Sequence, residues 1–153
     1  MKSVLISIQP KYCELIVNGE KTIEVRKSRP KIETPFKCYI YATKSNKYSL
    51  DQEANGNLFC WDKKSHHYPF KYEDSCEEIY NGKVIGEFVC DRIEEFHEYE
   101  LSPSKKFYEF EKARLDLFLK ESCLSYNEVC DYRKNLPYHK PLYGWHISDL
   151  KIY

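Results

Sequence analysis

The apolar positions change period several times along the chain, and each change marks an element. Val4 to Ile8, in "VLISI", make a short, nearly continuous apolar run that predicts a buried strand. Pro10 follows where the first turn of a helix tolerates proline, and Gly19 stands where a helix ends in the left-handed conformation. Between them Tyr12, Cys13, Leu15 and Ile16 supply one apolar side, so residues 10–18 are expected to form a short helix. Thr22 to Lys27 alternates at period two and predicts a strand. "RPKIETPF" breaks it, and "KCYIYATK" resumes as another strand.

Between residues 45 and 82 the pattern fades into a polar, aromatic-rich stretch containing "ANGN" and "HHYPF". A structureless connection of that length is uncommon in a compact domain, so short elements are expected there, as an inserted flank or lid. Lys83 to Ile93 reads as one long strand. Phe107, Phe110, Leu115 and Phe118 predict an amphipathic helix, continuous or broken. Ser125 with Glu128 three residues on makes a capping box that starts a helix reaching Tyr132. "LYGWHISDLKIY" is a terminal strand whose inside-outside parity slips near Asp149, which suggests a bulge. The sum is an α+β layout of about five main strands with two or three helices, expected as a single domain over residues 1–153. The irregular connections favour a small, mostly antiparallel barrel.

Composition adds large rings: 14 Tyr and 8 Phe must fill much of the core, and Tyr also suits a wet groove. The apolar runs are too short to span a bilayer as helices. The opening "MKSVLISIQP" enters a strand almost at once and shows no small-residue cleavage site, so a cytoplasmic location without a signal peptide is expected. Seven cysteines with no C-x-x-C pair read as small hydrophobes in a reducing compartment. Cys60, His66, His67 and Cys76 could supply zinc ligands, but their spacing matches no standard finger, and neither a metal nor a cofactor is expected.

The net charge is zero yet unevenly placed. From Glu20 to Tyr48 there are eight Lys/Arg against three Asp/Glu, and from Glu73 to Glu100 two against ten. A basic strip on a neutral protein suits an anionic ligand held locally rather than a long duplex.

Three places carry candidate chemistry. In "NGEKTIEVRK", alternation puts Thr22, Glu24 and Arg26 on one face and Ile23 and Val25 on the other, with Lys21 at the turn. In "VIGEFVC", Glu87 shares a face with Ile85 and Val89; a carboxylate there must meet a cation, border a pocket or face solvent at an edge. Gly86 beside it leaves room for another backbone or a ligand. In "YGWHIS", Trp145 or His146 could stack a base, although Trp145 also suits the core and His146 an exposed strand position. Lys27, Arg29 and Lys31 could hold phosphates.

These pieces in this order, "LISIQPKYCELIVNGEKTIEVRK", "VIGEFVC" and "YGWHIS", resemble the ASCH domain family of the PUA-like superfamily, most closely its small stand-alone bacterial and phage members. Gly19, Lys21 and Arg26 supply its G-x-K-x-x-x-x-R core, while residues 45–82 and 105–124 fall outside the motifs. The resemblance implies a barrel of five or six strands flanked by helices, with a cleft beside the Lys21 turn. It implies RNA, or a modified nucleobase or nucleotide, as ligand; read with the residue patterns above, Lys21, Thr22, Arg26, Lys27, Trp145 and His146 are the expected contacts, and no membrane partner is expected. One branch hydrolyses N4-acetylcytidine; its lysine matches Lys21 and its later glutamate Glu87, but its threonine falls at Glu24. Catalysis by Lys21, Glu24 and Glu87 would then require a carboxylate to activate water, and enzymatic activity stays open. A third expectation is a phage-type module that engages a protein through residues 45–82.

Overall fold

A computed structural model describes residues 1–64, 80–101 and 108–153. The chain divides into two compact units. The first holds Met1–Glu20, Lys37–Phe88 and Asp149–Tyr153, and the second Lys21–Phe36 and Val89–Ser148.

The first unit begins with β1 (Ser3–Ile8) and α1 (Pro10–Val17). Pro10 opens the helix as its spacing predicts, and Cys13 and Ile16 are buried. The helix ends in a paired reverse turn: Gly19 N–H donates to the Ile16 carbonyl at 3.0 Å and Glu20 N–H to that of Leu15 at 2.9 Å. Gly19 has φ +76°, a conformation that glycine adopts without Cβ strain. After β2 (Ile23–Arg26) the chain returns as β3 (Phe36–Ala42), which runs parallel to β1 with Leu5 opposite Tyr39. Parallel pairing needs a long crossover, and residues 9–35 provide it. Cys38, Ile40 and Ala42 point inward and are fully buried.

Residues 45–64 add a two-stranded antiparallel hairpin, β4 (Tyr48–Gln52) with β5 (Leu58–Asp62), turning at Gly56. The rest of the 45–82 stretch up to residue 79, including His66, His67 and Cys76, lies outside the described residues.

The expected long strand from Lys83 to Ile93 is two strands. β6 (Lys83–Cys90) lies in a four-stranded sheet of order β1-β3-β6 and then β9 (Ser148–Ile152). β7 (Ile93–Phe96) belongs to a separate three-stranded sheet, in which β8 (Leu142–His146) is central and pairs antiparallel with both β2 and β7. Asp91 and Arg92, two consecutive exposed charged residues, separate the two strands, a break that the reading as one strand passes over. The parity slip near Asp149 has the same origin. The terminal run divides into β8 and β9, strands of different sheets, and Asp149 sits at φ +46° beside the break. Nine strands therefore replace the expected five or so, and no closed barrel is found among the described residues.

In the second unit, Ile23, Val25, Phe96 and Leu142 pack on Leu115, Phe118 and Val129. Phe96 and Phe118 stack with centroids 4.1 Å apart. Leu115 and Phe118 belong to α2 (Tyr108–Ser122) and Val129 to α3 (Tyr126–Arg133). Phe110, expected on the apolar side of α2, is 75% exposed. At about 100° per residue it lies about 140° around the helix from Leu115, away from the sheet. Phe107 lies outside the described residues. The capping box at α3 is present: Ser125 Oγ accepts from Glu128 N–H at 3.1 Å, and Ser125 N–H donates to Glu128 Oε1 at 3.2 Å. No helix among the described residues is long and apolar enough to cross a membrane.

Candidate functional site

The start of β2 is fastened to the end of α2. Thr22 N–H donates to the Glu121 carbonyl at 2.9 Å, and Lys21 Nζ donates to the Ser122 carbonyl at 2.6 Å. Carbonyls at a helix C-terminus carry partial negative charge, which favours an ammonium there. Lys21 Nζ also lies 3.5 Å from Glu24 Oε2, and Arg26 Nε lies 3.2 Å from Glu24 Oε1. Glu24 is thus a buried carboxylate shared by two cations, with Lys21 only 3% exposed. Burial pushes the Lys21 ammonium below its ordinary pKa of 10.5; Glu24 and Cys123 oppose that shift and Arg26 adds to it.

Register decides what this cluster faces. Glu24 is opposite Trp145 and Arg26 opposite Tyr143, while Trp145 is also opposite Ile93. Directly opposed residues share a sheet face. Trp145 is buried, with its ring edge-on to Phe36 at 5.5 Å. Its Nε1–H finds no acceptor among the described residues. Tyr132 of α3 reaches the same region: Lys27 Nζ lies 4.7 Å from its ring centroid. Burial raises its phenol pKa, Arg26 lowers it and Glu24 raises it.

The candidate residues therefore separate. Lys21, Glu24, Arg26 and Trp145 gather, with Lys27 exposed at the margin. Thr22 is exposed, and its carbonyl accepts from Ile147 N–H. His146 neighbours Trp145 in sequence and so takes the opposite sheet face. It is opposite Ile23, with Nδ1 3.2 Å from Arg92 Nη2 and Nε2 3.1 Å from Glu94 Oε1. A pocket of about 110 Å³ opens on that side, rimmed by Glu94, Glu121 and Arg114 over Phe96 and Phe118, a setting ill suited to an anion.

Glu87 belongs to the first unit and has partners there. Lys37 Nζ donates to its Oε1 at 2.8 Å and Tyr153 OH to its Oε2 at 2.7 Å. Those two bonds, led by Lys37, hold its carboxyl below the usual range. Of the three options open to this carboxylate, meeting a cation is the one observed. Gly86 makes room for a backbone: a methyl there would collide with the Lys151 carbonyl of β9 and lie 2.9 Å from Ile152 Cδ1.

Ser122, Tyr132 and Tyr143 were not singled out by sequence. Nothing local marks them, because the contacts that bring them in span up to 101 residues. Cys13, Cys38 and Cys90 are buried as small hydrophobes. Burial raises the Cys60 thiol to about 12 and that of Cys90 to about 11. Among the described residues no three His, Cys, Asp or Glu side chains are placed to hold a metal ion.

A family model described as the ASCH domain matches residues 6–128. The chain belongs to the ASCH domain family. Among solved structures it is similar to the crystal structure of ASCH from Zymomonas mobilis, with 18% identity and a TM-score of 0.56 over 99% of this chain and 70% of that one. It is similar also to two variants of that protein. A tyrosine-to-phenylalanine form gives 17% identity and a TM-score of 0.54 over 99% and 73% of the two chains. A serine-to-alanine form gives 18% and 0.54 over 99% and 70%. At these identities the likeness is one of fold. No curated protein matches.

Proposed function

We propose that this ASCH domain binds RNA, or a nucleobase or nucleotide, on the β2–β8 face that carries Glu24, Arg26 and Trp145. The observation that carries the reading is a buried carboxylate shared by Lys21 and Arg26, directly opposite a buried indole N–H that has no acceptor among the described residues. A nucleobase edge offers the complementary set: an exocyclic amine for Glu24 and a ring carbonyl for Trp145 Nε1–H. Arg26, partly exposed, and Lys27, fully at the surface, are placed for a phosphate. Lys21, sealed against Ser122, acts by holding Glu24 rather than by touching ligand. Membership of the ASCH family is compatible with RNA binding and supports this reading.

The test is titration with cytidine monophosphate at low salt. Arg26→Ala and Glu24→Gln should each weaken nucleotide binding about ten-fold, the effect of losing one good polar contact. Absence of binding by the wild-type protein, or equal binding by the variants, rejects the reading.

One observation favours a second reading, an amidohydrolase of the N4-acetylcytidine type. The lowered Lys21 ammonium beside Glu24 is the pairing that a general base requires. Water would be the nucleophile, since Glu24 has no hydroxyl. Chromatography of cytidine released from N4-acetylcytidine decides it: turnover no faster than that of Glu24→Gln removes the enzyme reading.

A further inference from the structure

The outward face of the β1-β3-β6-β9 sheet carries side chains that the Lys21 site does not use. On β3, Lys37, Tyr39 and Tyr41 alternate with the buried Cys38, Ile40 and Ala42. Leu5, opposite Tyr39, is 61% exposed, and Tyr153, beyond the end of β9, is 63% exposed, so this face is open to solvent. Glu87 organises it. Its two oxygens accept from Lys37 at 2.8 Å and from Tyr153 at 2.7 Å, and the Lys37 ammonium lies 5.8 Å from the Tyr39 ring centroid. Lys151 stands close enough to act on the same carboxylate.

We propose that this face is a stacking platform for single-stranded RNA, on which Tyr39, Tyr41 and Tyr153 receive bases while Lys37 and Lys151 meet phosphates. Three features select that occupant. Rings at alternate strand positions stand roughly 6.5–7 Å apart, so neighbouring bases can splay onto separate rings. Glu87 is already engaged by Lys37 and Tyr153, which leaves the exposed Lys151 to attract an anion. The rings carry hydroxyls and alternate with cations, a composition for a wet, charged ligand rather than the apolar centre of a protein interface. Glu87 is then a positioning residue that fixes the ring of Tyr153 and the ammonium of Lys37. Base stacking tolerates any sequence, so the platform supplies affinity rather than base choice.

This inference goes beyond the Lys21 reading, and two probes separate them. A fluorescein-labelled oligouridine reports on the platform, while cytidine monophosphate, too short to span it, reports on the β2–β8 face. Tyr39→Ala and Tyr153→Ala should each weaken oligouridine binding about ten-fold, the value of one stacked base, and leave cytidine monophosphate binding unchanged. Lys151→Gln, an exposed change that cannot disturb the core, should lower the slope of log affinity against log salt by about 0.7. Tyr153→Phe keeps the ring and should retain most of the affinity. Oligouridine binding that is undetectable, or unaltered by Tyr153→Ala and Lys151→Gln, overturns the proposal whatever cytidine monophosphate does.

Discussion

Lys21 and Ser122 are 101 residues apart in sequence, yet the Lys21 ammonium donates to the Ser122 carbonyl at 2.6 Å where α2 ends. This bond ties the residues that lead into β2 to the end of α2, with Glu24 between two cations. Lys21→Met keeps most of the side-chain volume but removes the charge, leaving Glu24 with Arg26 alone. The cost expected is roughly 1.5–3 kcal/mol, the range for a hydrogen bond to a charged group, read from urea denaturation. The double variant Lys21→Met with Glu24→Gln should lose less than the sum of the two single changes, because the carboxylate left uncompensated by the first is gone in the second.

The lowered Lys21 pKa sets a sign for the pH dependence of stability. Between the folded value and the unfolded value of 10.5 the unfolded chain binds the extra proton, so stability contributed by this group rises with pH across that window. The wild-type melting temperature should therefore gain on that of Lys21→Met as pH climbs toward 10.5. A gap that closes over the same range would contradict the burial of this ammonium.

Glu87 behaves in the opposite window. Its folded pKa lies below the ordinary 4.5, so its contribution is complete above 4.5 and is lost as pH falls through the folded value. Glu87→Gln should lower the melting temperature near neutral pH and flatten the acid limb, so that the variant and wild-type profiles converge as pH falls through the folded value. Lys37, raised above 10.5 chiefly by its bond to Glu87, adds stability that is complete below 10.5 and is lost as pH rises through its folded value.

Gly86→Ala should destabilise by about 1–3 kcal/mol, the usual cost of overpacking, because the added methyl meets the Lys151 carbonyl, which is backbone and cannot swing aside. Denaturant midpoints of Gly86→Ala measure this, and an unchanged midpoint would place β9 further from β6 than observed.

Ser125→Ala removes the hydroxyl that accepts from Glu128 N–H and should cost about 0.5–2 kcal/mol. Ser125→Asp should recover most of the loss, since a carboxylate caps equally well and favours the helix N-terminus.

Features legible in the sequence were those set by local rules. Pro10 and Gly19 bound α1, the Ser125–Glu128 pair starts α3, and alternation separates Ile23 and Val25 from Glu24 and Arg26, because capping, φ restriction and strand pleat act within a few residues. The G-x-K-x-x-x-x-R motif marked Lys21 and Arg26, and strand alternation put Glu24 on the face of Arg26. What only the tertiary structure decided were matters of distance between remote segments. Asp91 and Arg92 mark a break between β6 and β7, but that the two strands join different sheets follows from which partner strand supplies hydrogen bonds, and pattern does not encode that. Either Trp145 or His146 could stack a base by sequence, with His146 otherwise expected exposed; the pleat of β8 sends them to opposite faces, Trp145 to Glu24 and His146, which is buried, to Glu94. Glu87 takes Lys37 and Tyr153, partners that no local pattern names, because a half-buried carboxylate takes the cation and hydroxyl that its own sheet brings within reach.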